Sequence, residues 1–226
     1  MTLFHRLGLR GVMFDMDGLL FDTEALYLET WPQIGEAMGF PITIDDALIT
    51  IGRPNLDCEP AFQKLFGPDF SMQEAQVIME KLVRAKLEAE GVPIKPGARE
   101  LLEFLHGERI PMALGTSNVH RVATAYLEAT GFDKYFGPIV TGDMVEHPKP
   151  APDIFQKAAA ELGLLPNQCV VFEDSPAGIL SAYKAGCLAA MVPDLLRPGI
   201  DTLNYVWRVF DNLDTAAETV FANRLF

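Results

Sequence analysis

Apolar positions along this chain follow two rhythms. The run Gly11–Phe14 is short, apolar and followed closely by Gly18, as expected of a central strand in a parallel sheet. From Glu24 to Gly91 the spacing is helical. Leu26, Leu28, Trp31, Ile34 and Met38 predict a helix over 24–39, in which Pro32 should cause a kink or a restart. Thr43-Ile44-Asp45-Asp46 predicts a helix start and Gly52 a stop, and a short helix is expected from about Asn55 to Phe66. Ser71-Met72-Gln73-Glu74 fits a capping box. The helix it opens should run to Glu90, with Val77, Ile78, Leu82 and Val83 on one side and Gly91 closing it.

Beyond Pro96 short apolar runs alternate with helical stretches. Helices are predicted at Ala98–His106, Arg121–Thr130, Ile154–Leu162 and Ala177–Ala185. The strands that follow them are Ile110–Gly115, Pro138–Thr141, Cys169–Phe172 and Leu188–Val192. Val206–Phe210 adds a candidate strand and Thr215–Phe221 a last helix. Gly107, Gly131, Gly163 and Gly186 each stand where a helix end wants a left-handed residue. This alternation is the pattern of βαβ units on a parallel sheet.

The strand at 11–14 belongs with that later sheet, and the helical block interrupts it. Residues 1–23 and 96–226 are therefore expected to form an α/β core, a doubly wound parallel sheet of Rossmann-like type. Residues 24–95 are expected to form an inserted all-helical cap domain. Val92–Gly97 reads as the return linker and the region Asp22–Glu24 as the outgoing one. Two neighbouring hinges would let the insert open and close.

Composition narrows the partners. The 226 residues are 49% hydrophobic, enough for a substantial core. The net charge of −13 makes nucleic acid an improbable ligand, and it obliges any phosphate site to carry local cations. Cys58, Cys169 and Cys187 cannot all pair and lie in apolar surroundings, so buried free thiols of a cytoplasmic protein are expected. Met1–Arg10 has no long apolar run, so no secretory leader is expected. No stretch approaches the roughly 18 apolar residues of a membrane span.

Ligands of open α/β sheets bind beyond the carboxyl ends of the strands. Those positions hold Asp15 and Asp17, then Thr116-Ser117-Asn118, then His147-Pro148-Lys149-Pro150, then Glu173-Asp174-Ser175. Paired carboxylates repel, and a cation between them relieves the repulsion. Carboxylate oxygens are hard ligands suited to Mg²⁺. One carboxylate can attack phosphorus covalently while a second moves protons. A hydroxyl and an ammonium can hold the charge of a transferring phosphoryl group.

Several of these residues also have simpler readings. Ser117 and Asn118 either touch phosphate or cap the next helix. Glu173 is either a direct ligand or one step removed from the metal. His147 reads as a loop residue, Asp143 and Glu146 as solvated acids, Asp153 as a helix cap, and Asp22 as part of the turn into the insert. The Lys149–Pro150 bond is a candidate for cis.

The run Asp15-Met16-Asp17-Gly18 after a strand resembles the first motif of the haloacid dehalogenase-like superfamily. Its continuation through Asp22-Thr23-Glu24 is similar to the branch of β-phosphoglucomutase-like and small sugar-phosphate phosphatases. Across nearly the whole chain the resemblance implies the following roles. Asp15 would be the nucleophile that becomes an aspartyl phosphate. Asp17 would be the general acid/base, with its backbone carbonyl on the metal. Thr116, Ser117, Asn118 and Lys149 would bind phosphate. Asp15, Asp17, Asp174 and Glu173 would surround Mg²⁺. Asp17 favours phosphoryl transfer over the dehalogenase and phosphonate-hydrolase branches.

Tyr27 stands where the mutases carry a histidine, and Arg53 lies near, but shifted from, their distal-phosphate arginine. Both departures favour a Mg²⁺-dependent phosphatase of small phosphomonoesters over the alternative, a phosphomutase. Tyr27 and Arg53 are then expected to set specificity in the cap. A non-catalytic binding module is the remote alternative, and no motif is damaged as it would require. The expected partner is a small phosphorylated metabolite such as a sugar phosphate, and the expected state is a cytoplasmic monomer that touches neither nucleic acid nor membrane.

Overall fold

The computed structural model describes residues 2–51, 58–195 and 197–221. Contacts divide the chain into two compact units, Met1–Phe21 with Ile94–Phe226, and Asp22–Pro93.

In the first unit a short α1 (Leu3–Arg6) precedes β1 (Gly11–Phe14). In the second unit α2 is Thr23–Met38, α3 Ile44–Ala47, α4 Glu59–Phe66 and α5 Met72–Glu90. The first unit resumes with α6 (Ala98–Gly107), β2 (Met112–Gly115), α7 (His120–Thr130), β3 (Ile139–Val140), α8 (Asp153–Glu161) and β4 (Cys169–Glu173). It ends with α9 (Pro176–Ala185), β5 (Leu188–Met191), α10 (Ile200–Leu203), β6 (Arg208–Val209) and α11 (Leu213–Phe221).

The six strands form one parallel sheet in the order β3-β2-β1-β4-β5-β6. Every residue of β1, β2 and β4 is buried, which is why these strands read as continuous apolar runs rather than alternating ones. The pleat sends Met13 to one face, where it joins Ile154, Phe155 and Ala158 of α8 and Ile179 and Ala182 of α9. Phe14 goes to the other face, stacking on Phe172 with ring centroids 5.6 Å apart, and Phe172 in turn meets Phe221 of α11. Helices thus flank both faces, the doubly wound arrangement the alternation predicted.

The helical unit has its own core. Trp31 stacks on Phe62 at 4.7 Å, Phe62 on Phe70 at 4.9 Å, and Phe40 lies 5.5 Å from Phe70. Asp22 N–H donates to the Pro93 carbonyl at 2.9 Å, tying the two ends of this unit together.

Several expectations need correction. Pro32 does not restart α2, which runs through it. Its ring faces outward while Trp31 and Ile34 on either side are buried, and that burial offsets the roughly 3 kcal/mol a mid-helix proline costs. The buried side of α5 is Met72, Ala75, Met79 and Val83; Ile78 and Leu82 are only partly buried, and Val77 is 50% exposed. Gly107 lies inside α6, and the left-handed residue after that helix is Arg109, at φ 57°. The strands β2 and β3 are also shorter than the apolar runs that signal them.

Other details match. Thr43 and Asp46 form a reciprocal capping box, while of the box expected at Ser71 the structure shows the half in which Ser71 caps α5 through Glu74 N–H. All three cysteines are buried thiols, and burial pushes Cys169 up to about 11 and Cys187 up to about 12. The Gly52 stop and the start of the helix expected from Asn55 lie outside the described residues, as does Arg53. Among the described residues no helix is long and apolar enough to cross a membrane.

Candidate active site

The strand order reverses direction between β1 and β4, and in open α/β sheets ligands bind at the carboxyl ends beside such a reversal. Asp15 follows β1 there, Glu173 ends β4 and Asp174 follows it. Gly18, at φ +73°, turns the chain back so that its N–H bonds the Phe21 carbonyl at 2.9 Å. A Cβ at Gly18 would strike the Asp174 carboxylate, so glycine is required by space as well as by dihedral.

Lys149 reaches the same point from the loop after β3. Its Nζ donates to Asp15 Oδ1 at 2.5 Å, to Glu173 Oε1 at 2.8 Å and to the Gly115 carbonyl at 2.8 Å. These three bonds use every hydrogen of the ammonium. Its charge also lies 4.7 Å from the centre of the Phe155 ring. The Lys149–Pro150 bond is cis.

Glu173 is held at its other oxygen too. Oε2 accepts from Ser175 N–H at 2.8 Å and from the Ser175 hydroxyl at 2.9 Å. Ser175 Oγ in turn accepts from Gly178 N–H at 3.0 Å, capping α9. A Cβ at Gly178 would occupy the space of the Glu173 carboxylate. The sequence Glu173-Asp174-Ser175-Pro176-Ala177-Gly178 thus builds a helix start whose positive end faces an acid.

The remaining expected residues divide. Thr116 is buried, and its Oγ1 accepts from Asn118 N–H at 3.1 Å. Asn118 does not cap α7, whose N-cap is Val119; its Nδ2 donates to Asp17 Oδ2 at 2.5 Å. Ser117 is exposed. Tyr27 packs, half-buried, against the aromatic core of the helical unit. His147 pairs with Asp153 at 3.0 Å, so Asp153 anchors that loop rather than capping α8. Asp143 is exposed, as expected, and it also organises its loop by accepting from Thr141 Oγ1 at 2.5 Å and from His120 N–H at 3.0 Å.

Two participants were missed from sequence. Lys95 donates to Asp194 Oδ1 at 2.5 Å, and the Asp194 side chain is only 7% exposed. Asp194 follows β5 by three residues, which is the signal that could have flagged it.

The electrostatics favour a cation. Burial pushes the Asp15 carboxyl up to about 8; Lys149 opposes the rise, and the charges of Glu173 and Asp17 add to it. Burial works against the charge of Lys149, but Asp15 and Glu173 outweigh it and hold its pKa above that of an ordinary lysine. Asp15 and Glu173 thus share the one ammonium of Lys149, with the carboxylate of Asp174 close by. Ligand oxygens of Asp15, Glu173 and Asp174 lie within 4.8 Å of one another. Such a hard-oxygen cluster fits Mg²⁺, with Asp15 and Asp174 better disposed than Glu173, whose oxygens already hold Lys149 and Ser175.

A parallel α/β sheet with a carboxylate-lysine cluster at its reversal point defines a class of hydrolase. The family model for haloacid dehalogenase-like hydrolases matches residues 9–186, and the chain belongs to that family. It is 35% identical over 178 residues to the phosphorylated carbohydrates phosphatase of Thermotoga maritima, covering 79% of this chain and 82% of that one. It is 34% identical to the Escherichia coli fructose-1-phosphate phosphatase YqaB, covering 78% of this chain and 92% of that one. Among solved structures, a Thermotoga maritima protein provisionally named a beta-phosphoglucomutase superposes with a TM-score of 0.78 at 31% identity, covering 94% of this chain and all of that one.

Proposed function

We propose that this hydrolase is a Mg²⁺-dependent phosphatase of small phosphomonoesters, sugar phosphates foremost, acting through an aspartyl phosphate on Asp15. The observation that carries the reading is the buried ion pair of Asp15 with Lys149, at 2.5 Å, beside Asp174. The named activities of the phosphatases it resembles support the substrate class.

In this reading an Asp15 carboxylate oxygen attacks phosphorus, and a P–O bond to it forms as the ester P–O bond breaks. The carboxyl of Asp17 gives its proton to the departing alkoxide. Asp17 then takes a proton from water as that water attacks phosphorus, which restores Asp15 and releases inorganic phosphate. Asn118 aims Asp17 through its amide. Lys149, giving up its hydrogen bond to Asp15 as that carboxylate attacks, binds the phosphoryl oxygens with Thr116 and, more peripherally, Ser117 and Asn118, while Glu173 fixes the direction of Lys149. Asp15, Asp174 and the backbone of Asp17 would hold Mg²⁺. The bound ion would offset the carboxylate charge and polarise a phosphoryl oxygen. The helical unit, bounded near 24–95, serves as the cap, with Tyr27 and Arg53 its specificity residues. The partner is then a small phosphorylated metabolite, met by a cytoplasmic monomer.

A phosphomutase is the second reading, favoured by the 31% identity to the provisionally named beta-phosphoglucomutase. The tyrosine at position 27 weighs against it. Turnover of p-nitrophenyl phosphate and a sugar-phosphate panel, with and without Mg²⁺, tests the proposal. Release of inorganic phosphate from the wild type, abolished in Asp15→Asn and slowed severely in Asp17→Asn, is expected. Steady-state hydrolysis by Asp15→Asn would refute the covalent route. Interconversion of β-glucose 1-phosphate and glucose 6-phosphate would select the mutase.

A further inference from the structure

Among the described residues one buried side-chain oxygen has no hydrogen-bond partner, and it is Asp194 Oδ2. A buried carboxylate oxygen without a partner costs about 1–3 kcal/mol or more, so its position calls for a reason. The other oxygen, Oδ1, is held by Lys95 at 2.5 Å. That bond leaves Oδ2 directed toward Gly18. A Cβ built on Gly18 would lie 3.3 Å from Asp194 Oδ2 and would strike Asp174 Oδ2 as well. The orphan oxygen therefore borders the same small space as the Asp174 carboxylate, at the turn that follows Asp15 and Asp17.

A buried carboxylate oxygen is stabilised when a proton donor reaches it. Lys95 fixes Oδ1, and Oδ2 is left without a hydrogen bond. Mg²⁺ ordinarily retains several waters and takes only one or two protein carboxylates. Those waters are strong donors, and they need acceptors around the cation.

We propose that Asp194 is a positioning residue of the cation site, its Oδ2 accepting a hydrogen bond from a metal-bound water while Lys95 fixes its Oδ1. The inference rests on the reading of Asp15 and Asp174 as the residues that hold Mg²⁺. It ascribes a purpose to the ion pair between the residue just after the return from the helical unit and the loop after β5: Lys95 orients Asp194 and balances part of its charge. Asp194 touches neither nucleophile nor substrate in this scheme, so its first effect is on metal affinity.

Calorimetric titration of Mg²⁺ into the metal-free wild type and into Asp194→Asn tests it, together with Tm measured with and without Mg²⁺. Asparagine keeps an oxygen for Lys95 but turns an amide donor toward the space that needs an acceptor. The expected result is a Kd raised about 10- to 100-fold, with a smaller Mg²⁺-induced rise in Tm and little change in the metal-free Tm. An unchanged Kd with a lowered metal-free Tm would overturn the proposal and leave the Lys95–Asp194 pair as a structural strap. Absence of Mg²⁺ binding by the wild type itself would overturn the underlying reading of Asp15 and Asp174, and this inference with it. Should Asp194→Asn fail to fold, Asp194→Ser removes the same oxygen; because it also releases Lys95, it is read by its Mg²⁺ Kd alone, which should again rise about 10- to 100-fold, and an unchanged Kd would overturn the proposal.

Discussion

Trp31, Phe62 and Phe70 stack face to face in the helical unit, and among the described residues no charged side chain of that unit is buried. In the α/β unit Asp15 and Glu173 are both buried, and Lys149 lies between them with its side chain only 5% exposed. The helical core is held mainly by apolar contact, where a lost atom leaves a void. The sheet's carboxyl end is held by opposed charges, where a lost atom leaves an uncompensated ion. Stability and chemistry are thus separable in this molecule, and substitutions in the two regions should fail in different ways.

The largest expected effect separates them most sharply. Asp15→Asn should lower kcat by several orders of magnitude while the metal-free Tm stays equal to or above that of the wild type. It removes the nucleophile, and it also removes a carboxyl that burial disfavours in its charged form. A fall in Tm on that substitution would break the comparison.

Lys149→Met strands Asp15 and Glu173 without their shared cation. It should cost about 3–5 kcal/mol in urea unfolding, in addition to its effect on turnover. Phe62→Ala should cost a similar amount, about 3–5 kcal/mol, by leaving a cavity among Trp31, Phe66 and Phe70. Calorimetry should assign the Phe62 loss to the helical unit, with Mg²⁺ affinity unchanged. A changed Mg²⁺ affinity in Phe62→Ala would join what the comparison separates.

The smallest effect comes from the capping box at Thr43. Its hydrogen bonds to Asp46 hold the Asp46 carboxyl below its ordinary value of 3.8. A depressed folded-state pKa contributes stability above the unfolded value and loses it as the pH drops below. Asp46→Ala should therefore lower Tm slightly at neutral pH, and the difference from wild type should fade as the pH falls below 3.8.

Much of this architecture was legible along the chain. The alternation of short apolar runs with helical stretches after Pro96 determined a parallel sheet, because a strand buried on both faces tolerates only apolar residues. Glycines at 131, 163 and 186 marked helix ends correctly, since each takes a positive φ. Asp15, Thr116, Lys149, Glu173 and Asp174 could be singled out because each lies just past a strand or in the loop beyond one, where this fold gathers ligands.

The tertiary structure decided what local pattern leaves open. Periodicity says that α5 has an apolar side, but its length carries more than one apolar row, and only packing chose Ala75, Met79 and Val83 over Val77. Asn118 had two local uses, phosphate contact or helix capping; the turn that brings Asp17 within 2.5 Å added a third. Asp194 lies 99 residues from Lys95 in the chain, and its meaning arises from Gly18 and Asp174, which only the folded sheet brings beside it. Element type follows from spacing along the chain, whereas partnership follows from distance in space, and the sequence records only the first directly.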